Sequence, residues 1–128
     1  MKRIIGYAKL YALLAITQLL LTRAARTSKR VDELMRSDRF VFQVCTTDGR
    51  GGYYVLEDGR ISLHFGMHPT PDFVQSWTDG GVAFSTMTSS DESDIMRAFE
   101  AGLLRMSGHF RVALWFNECM KIARGVTG

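Results

Sequence analysis

The segment Ala98 to Gly108, AFEAGLLRMSG, constrains this chain most: a helical pattern stops on one glycine, four residues alternate, and a second glycine releases another helical pattern. The first helix is expected over about Asp91 to Ala101, with Ser90 as N-cap and with Asp91, Glu92 and Asp94 where the helix dipole favours acid. Ile95 and Phe99 lie one turn apart beside Met96 and Ala98, which gives this helix an apolar face and turns Arg97 and Glu100 to water. Alternation then sends Leu104 and Met106 to one side and Leu103 and Arg105 to the other. A strand this short is not stable alone, so it belongs to a sheet covered by the helices before and after it. The helix after Gly108, expected from about His109 to Arg124, repeats Phe110, Ala113, Leu114 and Met120 at helical spacing and adds Trp115, Phe116 and Cys119.

Upstream, the pattern is that of an antiparallel meander. Phe40, Phe42 and Val44 share one face of a first strand, Asp48 to Gly52 is a glycine-rich turn, and Tyr53 to Glu57 returns. Asp58-Gly59 makes a second tight turn, after which Ile61, Leu63 and Phe65 form an inward face. His68-Pro69-Thr70-Pro71 is a stiff crossing segment. Phe73, Gln75 and Trp77 share one face of a fourth strand, and Thr78 or Asp79 caps a helix carrying Val82, Ala83, Thr86 and Met87. With 128 residues, 46% of them apolar, the chain has material for one core. The expected fold class is α/β (α+β): a five-stranded, mostly antiparallel sheet covered by helices on one side, with a long apolar helix at the N-terminus. Phe40, Phe42, Phe65, Phe73, Trp77, Met87, Met96, Phe99, Met106 and Phe110 are read as facing inward, a set that suits an adaptable cavity and an ordinary packed core alike.

Ile4 to Leu21 contains only Lys9, Thr17 and Gln18 as clearly polar residues, just enough apolar length to span a bilayer. Lys9 would sit deep in hydrocarbon, and no small-x-small cleavage site follows, so neither a spanning helix nor a secretory signal fits comfortably. A long surface helix, bending near Thr27-Ser28 into a segment with Val31, Leu34 and Met35, fits better. Residues 1–30 carry seven basic side chains and no acid, giving +7, against −4 for the remainder. Residues 1–37 are accordingly read as a basic, apolar helical arm and 38–128 as the domain proper. Lys2, Arg3, Ile4, Lys9, Leu13, Leu20, Arg23 and Arg26 are its expected contacts with an anionic membrane or with a second copy of the chain. A nucleic-acid partner is not expected, because the arm lacks interleaved aromatic stacking residues.

Catalytic signatures are missing. No nucleophile elbow, phosphate-binding glycine loop or paired-ligand motif occurs. Cys45 and Cys119 fall on apolar elements and read as buried, reduced thiols. His64 and His68 are four apart on a strand-like pattern, which is not a metal-ligand spacing, so no metal and no cofactor are expected.

Phe99, Gly102, Leu104, Met106 and Gly108, followed by Phe110 and Leu114, resemble the sterol carrier protein-2 lipid-binding family. In that family a phenylalanine-containing helix leads through G-x-L-x-I-x-G to an apolar C-terminal helix. The resemblance extends back to Pro71-Asp72-Phe73-Val74-Gln75-Ser76-Trp77-Thr78-Asp79 and covers roughly residues 38–124. It implies a non-catalytic domain that binds, transfers or presents one lipid, such as a fatty acid, sterol or isoprenoid, between sheet and helices. The lining it implies is Phe65, Phe73, Gln75, Trp77, Met87, Ile95, Met96, Phe99, Leu104, Met106, Phe110 and Leu114. Gln75 stands where the family has an apolar residue, and its amide needs a partner such as a lipid head group, a water or nearby backbone. The other class is an accessory or scaffold protein whose core is filled by its own side chains and whose N-terminal helix docks a partner or dimerises. Either would work in the cytoplasm, at the periphery of a membrane.

Overall fold

The computed structural model describes residues 2–89, 91 and 93–125, the first four by backbone alone. Leucine and alanine, both strong helix formers, dominate the first element, α1 (Lys2–Thr27). The chain breaks at Ser28, whose hydroxyl accepts from Val31 N–H at 3.3 Å and caps α2 (Lys29–Ser37). Then come β1 (Phe40–Thr46), β2 (Gly51–Glu57), β3 (Arg60–Phe65), β4 (Phe73–Trp77), α3 (Gly80–Met87), α4 (Ser93–Glu100), β5 (Leu104–Gly108) and α5 (Phe110–Ala123). Asp58 and Gly59 both have positive φ, 53° and 77°, as the tight hairpin between β2 and β3 requires. Asp79 caps α3 by accepting from Gly81 and Val82 N–H. Asp91 Oδ1 accepts from Ser93 N–H at 3.0 Å ahead of α4, whereas the expected cap Ser90 and its neighbour Glu92 lie outside the described residues.

The strands form one sheet in the order β3-β2-β1-β4-β5. Every pairing is antiparallel except β1 with β4, which is parallel because residues 66–72 carry the chain from the β3 edge to the far side of β1. That crossing is pinned to β1: Asp72 Oδ2 accepts from Val41 N–H at 2.7 Å, and Gln43 Oε1 accepts from His68 N–H at 2.7 Å.

Register puts Phe42, Tyr54, Leu63, Phe73, Gln75, Trp77, Leu104 and Met106 on the face that meets the helices. The opposite face carries Gln43, Tyr53, Ser62, His64, Ser76 and Arg105. There the Tyr53 ring stacks on His64 at 5.2 Å and meets His68 edge-on at 5.0 Å, so the two histidines flank an aromatic ring. No group of three or more metal-ligating side chains occurs among the described residues.

α1 is a layer of the core. Leu10, Leu13, Leu14, Leu21 and Ala24 are buried, and Leu14 C=O accepts from Tyr54 Oη at 2.8 Å. The boundary drawn at residues 37 and 38 therefore separates helices from sheet within one core, and Leu13, expected at a membrane or partner, is an interior residue. The reason is the distribution of small side chains: alanines 8, 12 and 15 take the outward face, leaving the leucines for the sheet. α5 is held against α2 by Trp115 Nε1, which donates to Leu34 C=O at 2.9 Å.

Cys45 and Cys119 are free and buried. Burial raises both thiols, Cys119 to about 12 with help from neighbouring Glu118, while Ser76 and Gln43 partly offset the effect at Cys45. Neither thiol should react with iodoacetamide at pH 8 in the folded protein, and both should react on unfolding in guanidinium; labelling of the folded chain would contradict this burial. A raised folded value means that the native state holds its proton longer, so this contribution to stability is intact below the ordinary thiol value of 9.0 and is lost as the pH rises towards 12.

Candidate functional site

At the centre of the sheet the space beneath the helices is occupied by interlocking rings. Phe42 meets Phe116 edge-on at 4.5 Å and Phe73 at 5.5 Å, and Tyr54 lies 5.3 Å from Phe116. Two concavities open elsewhere. One of about 420 Å³ is bordered by Arg39, Val41, Val55, Glu57, His68 and Asp72, and one of about 140 Å³ by Tyr7, Thr46, Asp48, Thr78 and Asp79. Neither is the enclosed apolar hollow expected between sheet and helices.

Uncovered apolar side chains gather instead on the elements bordering β5. α4 packs on β5 and α3, whereas α5 packs on α1, α2 and β4. Ala98 is the buried residue of α4, and helical spacing puts Ile95, Met96 and Phe99 on the flank opposite Arg97. Met96 and Phe99 are exposed, as are Phe110 and Leu114 in the first two turns of α5. Phe110 reaches back to Phe73, with ring centroids 5.4 Å apart. Met106 of β5 is half-buried on the helix side of the sheet, paired in register with Gln75. The exposed side chains of α4 and α5, with half-buried Met106 and Gln75 at this end of the sheet, form the candidate contact region, the seam.

The expected lining residues thus fall into three groups. Phe73, Trp77 and Leu104 are fully packed in the core under the seam, and Met87 and Ile95 are half-buried against it. Met96, Phe99, Phe110 and Leu114 are exposed, contrary to the inward reading of the first three, because the helices above this end of the sheet do not close over it. Phe65 does not belong to the seam. It lies on edge strand β3 at the other side of the sheet, 61% exposed, with its ring edge-on to Tyr11 of α1 at 5.3 Å. Gln75 is 8% exposed, and its Oε1 accepts from Trp77 Nε1 at 3.0 Å, a side-chain partner that neither the backbone nor a head group supplies. Leu103, assigned to the opposite side of β5, ends in the loop before it and is also exposed.

On α1 the outward stripe comprises Lys9, Ile16, Leu19, Arg23 and Arg26, all exposed, together with the alanines; Leu20 is half-buried. Ile16 and Leu19 were not singled out from sequence, although their spacing with alanines 12 and 15 and with Arg23 marks that stripe. The Lys9 ammonium lies 6.0 Å from the centre of the Phe84 ring. Arg23 and Arg26 make no ion pair among the described residues. The side chains of Lys2, Arg3 and Ile4 lie outside the described residues. Gly6–Thr27 is long and apolar enough to cross a membrane by length and composition, yet its inward leucines are taken up by the core.

Sequence comparison finds no matching family model and no matching curated protein. Comparison of structures does find matches. A solved structure described as "UbiJ-SCP2 Ubiquinone synthesis protein" superposes with a TM-score of 0.64 at 17% identity, over 88% of this chain and 96% of that one. The solution structure of sterol carrier protein domain 2 of Helicoverpa armigera gives 0.62 at 15% identity, over 94% and 91%. A sec-alkylsulfatase, Pisa1 from Pseudomonas sp., is matched at 0.50 and 13% identity over 67% of this chain, which spans only 14% of that much longer enzyme. The strand order, the single helical face and the near-complete coverage of two such domains together give this chain the sterol carrier protein-like fold.

Proposed function

We propose that the protein binds a single lipid without catalysing a reaction on it, and that the hydrocarbon lies in the seam between α4 and α5 above β5. The observation that carries this reading is the exposure of Met96, Phe99, Phe110 and Leu114 on the two helices flanking β5, together with half-buried Met106, beside a core in which Phe42, Phe73, Trp77 and Leu104 are buried. Large apolar side chains left exposed on elements that flank one strand mark a contact site. Each methylene moved from water into it contributes about 0.8 kcal/mol, so ten would offset much of the cost of immobilising a chain. The likeness to a ubiquinone synthesis protein and to a sterol carrier domain supports lipid as the ligand class. We place the protein in the cytoplasm, at the periphery of a membrane. The outward stripe of α1, apolar at Ile16 and Leu19 and basic at Lys9, Arg23 and Arg26, fits an anionic bilayer surface better than a second copy of itself, whose equal charges would repel.

Phe99→Asp combined with Phe110→Asp tests the seam. Both residues are exposed, so the melting temperature should stay within a few degrees, while native mass spectrometry of protein purified without detergent should lose the lipid adduct carried by the wild type. One observation favours the accessory reading: the ring packing of Phe42, Tyr54, Phe73 and Phe116, which fills the centre of the domain. A lipid-free wild-type mass with tight multimers would decide for it.

A further inference from the structure

Gln75 sits in the middle of β4 with Val44 of β1 and Met106 of β5 as register partners, and with Phe73 and Trp77 on the same face. An indole N–H only donates, so the Gln75 atom 3.0 Å from Trp77 Nε1 is the carbonyl oxygen. That bond fixes the amide, because Trp77 is completely buried and has nowhere else to turn. The Gln75 NH2 therefore points away from Trp77, and it has no acceptor among the described residues. It is not sealed in the core either: the residue keeps 8% of its surface, the amide nitrogen is not among the sealed atoms without a partner, and its register partner Met106 is half-buried. A primary amide with its oxygen engaged and its two N–H donors unspent, in a wall of methionine and phenylalanine, is an oriented hydrogen-bond donor in a surrounding of low polarity.

We propose that this NH2 group selects the ligand: it holds an oxygen acceptor, the carbonyl or carboxylate of a lipid, while the hydrocarbon lies along the seam. The inference rests on the lipid-binding reading above and names the chemistry that site prefers. A neutral donor suits an ester or acid oxygen and gives nothing to a bare hydrocarbon end.

The test uses the full chain, freed of lipid, and three fluorescent probes: a pyrene-labelled dodecanoic acid, its methyl ester and the matching pyrene alkane. Gln75→Leu should weaken ester binding about five- to tenfold and leave the alkane within about twofold, the loss expected for one neutral hydrogen bond. The same change strands the buried Trp77 N–H, so it should also lower the melting temperature. Gln75→Glu keeps an acceptor for Trp77 and hence the fold, but presents a carboxylate to the seam. It should weaken the acid probe by more than tenfold at pH 8 and the alkane little. Equal weakening of ester and alkane by the leucine variant, or unchanged acid binding by the glutamate variant, would overturn the role of Gln75 while leaving lipid binding standing. Failure of the wild type to bind any of the three probes would overturn the lipid reading itself.

Discussion

A chain lacking residues 1–27 is expected to lose its cooperative thermal transition altogether. Leu10, Leu13, Leu14 and Leu21 are all buried, and each fully buried leucine contributes roughly 1.5–3 kcal/mol, so together they amount to about 6–12 kcal/mol, the order of a whole domain's net stability. Their removal uncovers the β2 and β3 side of the sheet and takes away the Leu14 carbonyl that accepts from the buried Tyr54 hydroxyl. Circular dichroism melts of full-length and truncated protein measure the effect. A sharp, near-native transition in the truncated chain would mean that α1 is an appendage after all.

Gly80→Val is expected to be strongly destabilising, because it forces two packed helices apart. A Cβ at position 80 would lie 2.3 Å from the Gly6 carbonyl oxygen and 2.9 Å from its carbon, contacts that no rotamer change relieves because both partners are backbone. α1 and α3 would have to separate, pulling Leu10 away from residue 80, and overpacking of this kind costs about 1–3 kcal/mol before the lost burial is counted. Gly81→Ala is the matched control. Its Cβ would meet only the Asp79 carboxylate oxygen, at 2.9 Å, a side chain that can shift at some cost to its cap on α3, while alanine offsets this with roughly 1 kcal/mol of helix propensity over glycine. Urea denaturation should therefore separate the two variants clearly. Comparable midpoints for both would show that the two helices are not locked at Gly6 and Gly80.

Local order was legible along most of the chain. The alternation of Phe40, Phe42 and Val44, the Asp58-Gly59 turn, the stiff 68–71 crossing and the helix–strand–helix run around β5 all stand where the residues indicated, because period and turn chemistry act over a few neighbours. Phe65, Met96, Phe99 and Phe110 were misjudged for one shared reason. Apolar spacing identifies the greasy side of an element, but whether another element arrives to cover it is a matter of distance across the fold. The same limit applied to α1, where eighteen nearly uninterrupted apolar residues looked too greasy for one small domain. Alanines on its outer face make that excess smaller than the letters imply.

The residues alone determined that this chain makes five short strands and several amphipathic helices around one core, since backbone propensity and hydrophobic period are local properties. Only the tertiary structure decided that β4 joins β1 in parallel, that α1 belongs to the core, and that the amide of Gln75 is split between an indole and an open seam. Those three depend on contacts between residues roughly 30 or more positions apart or on the direction of a side chain after packing, and neither is written in the spacing of neighbours.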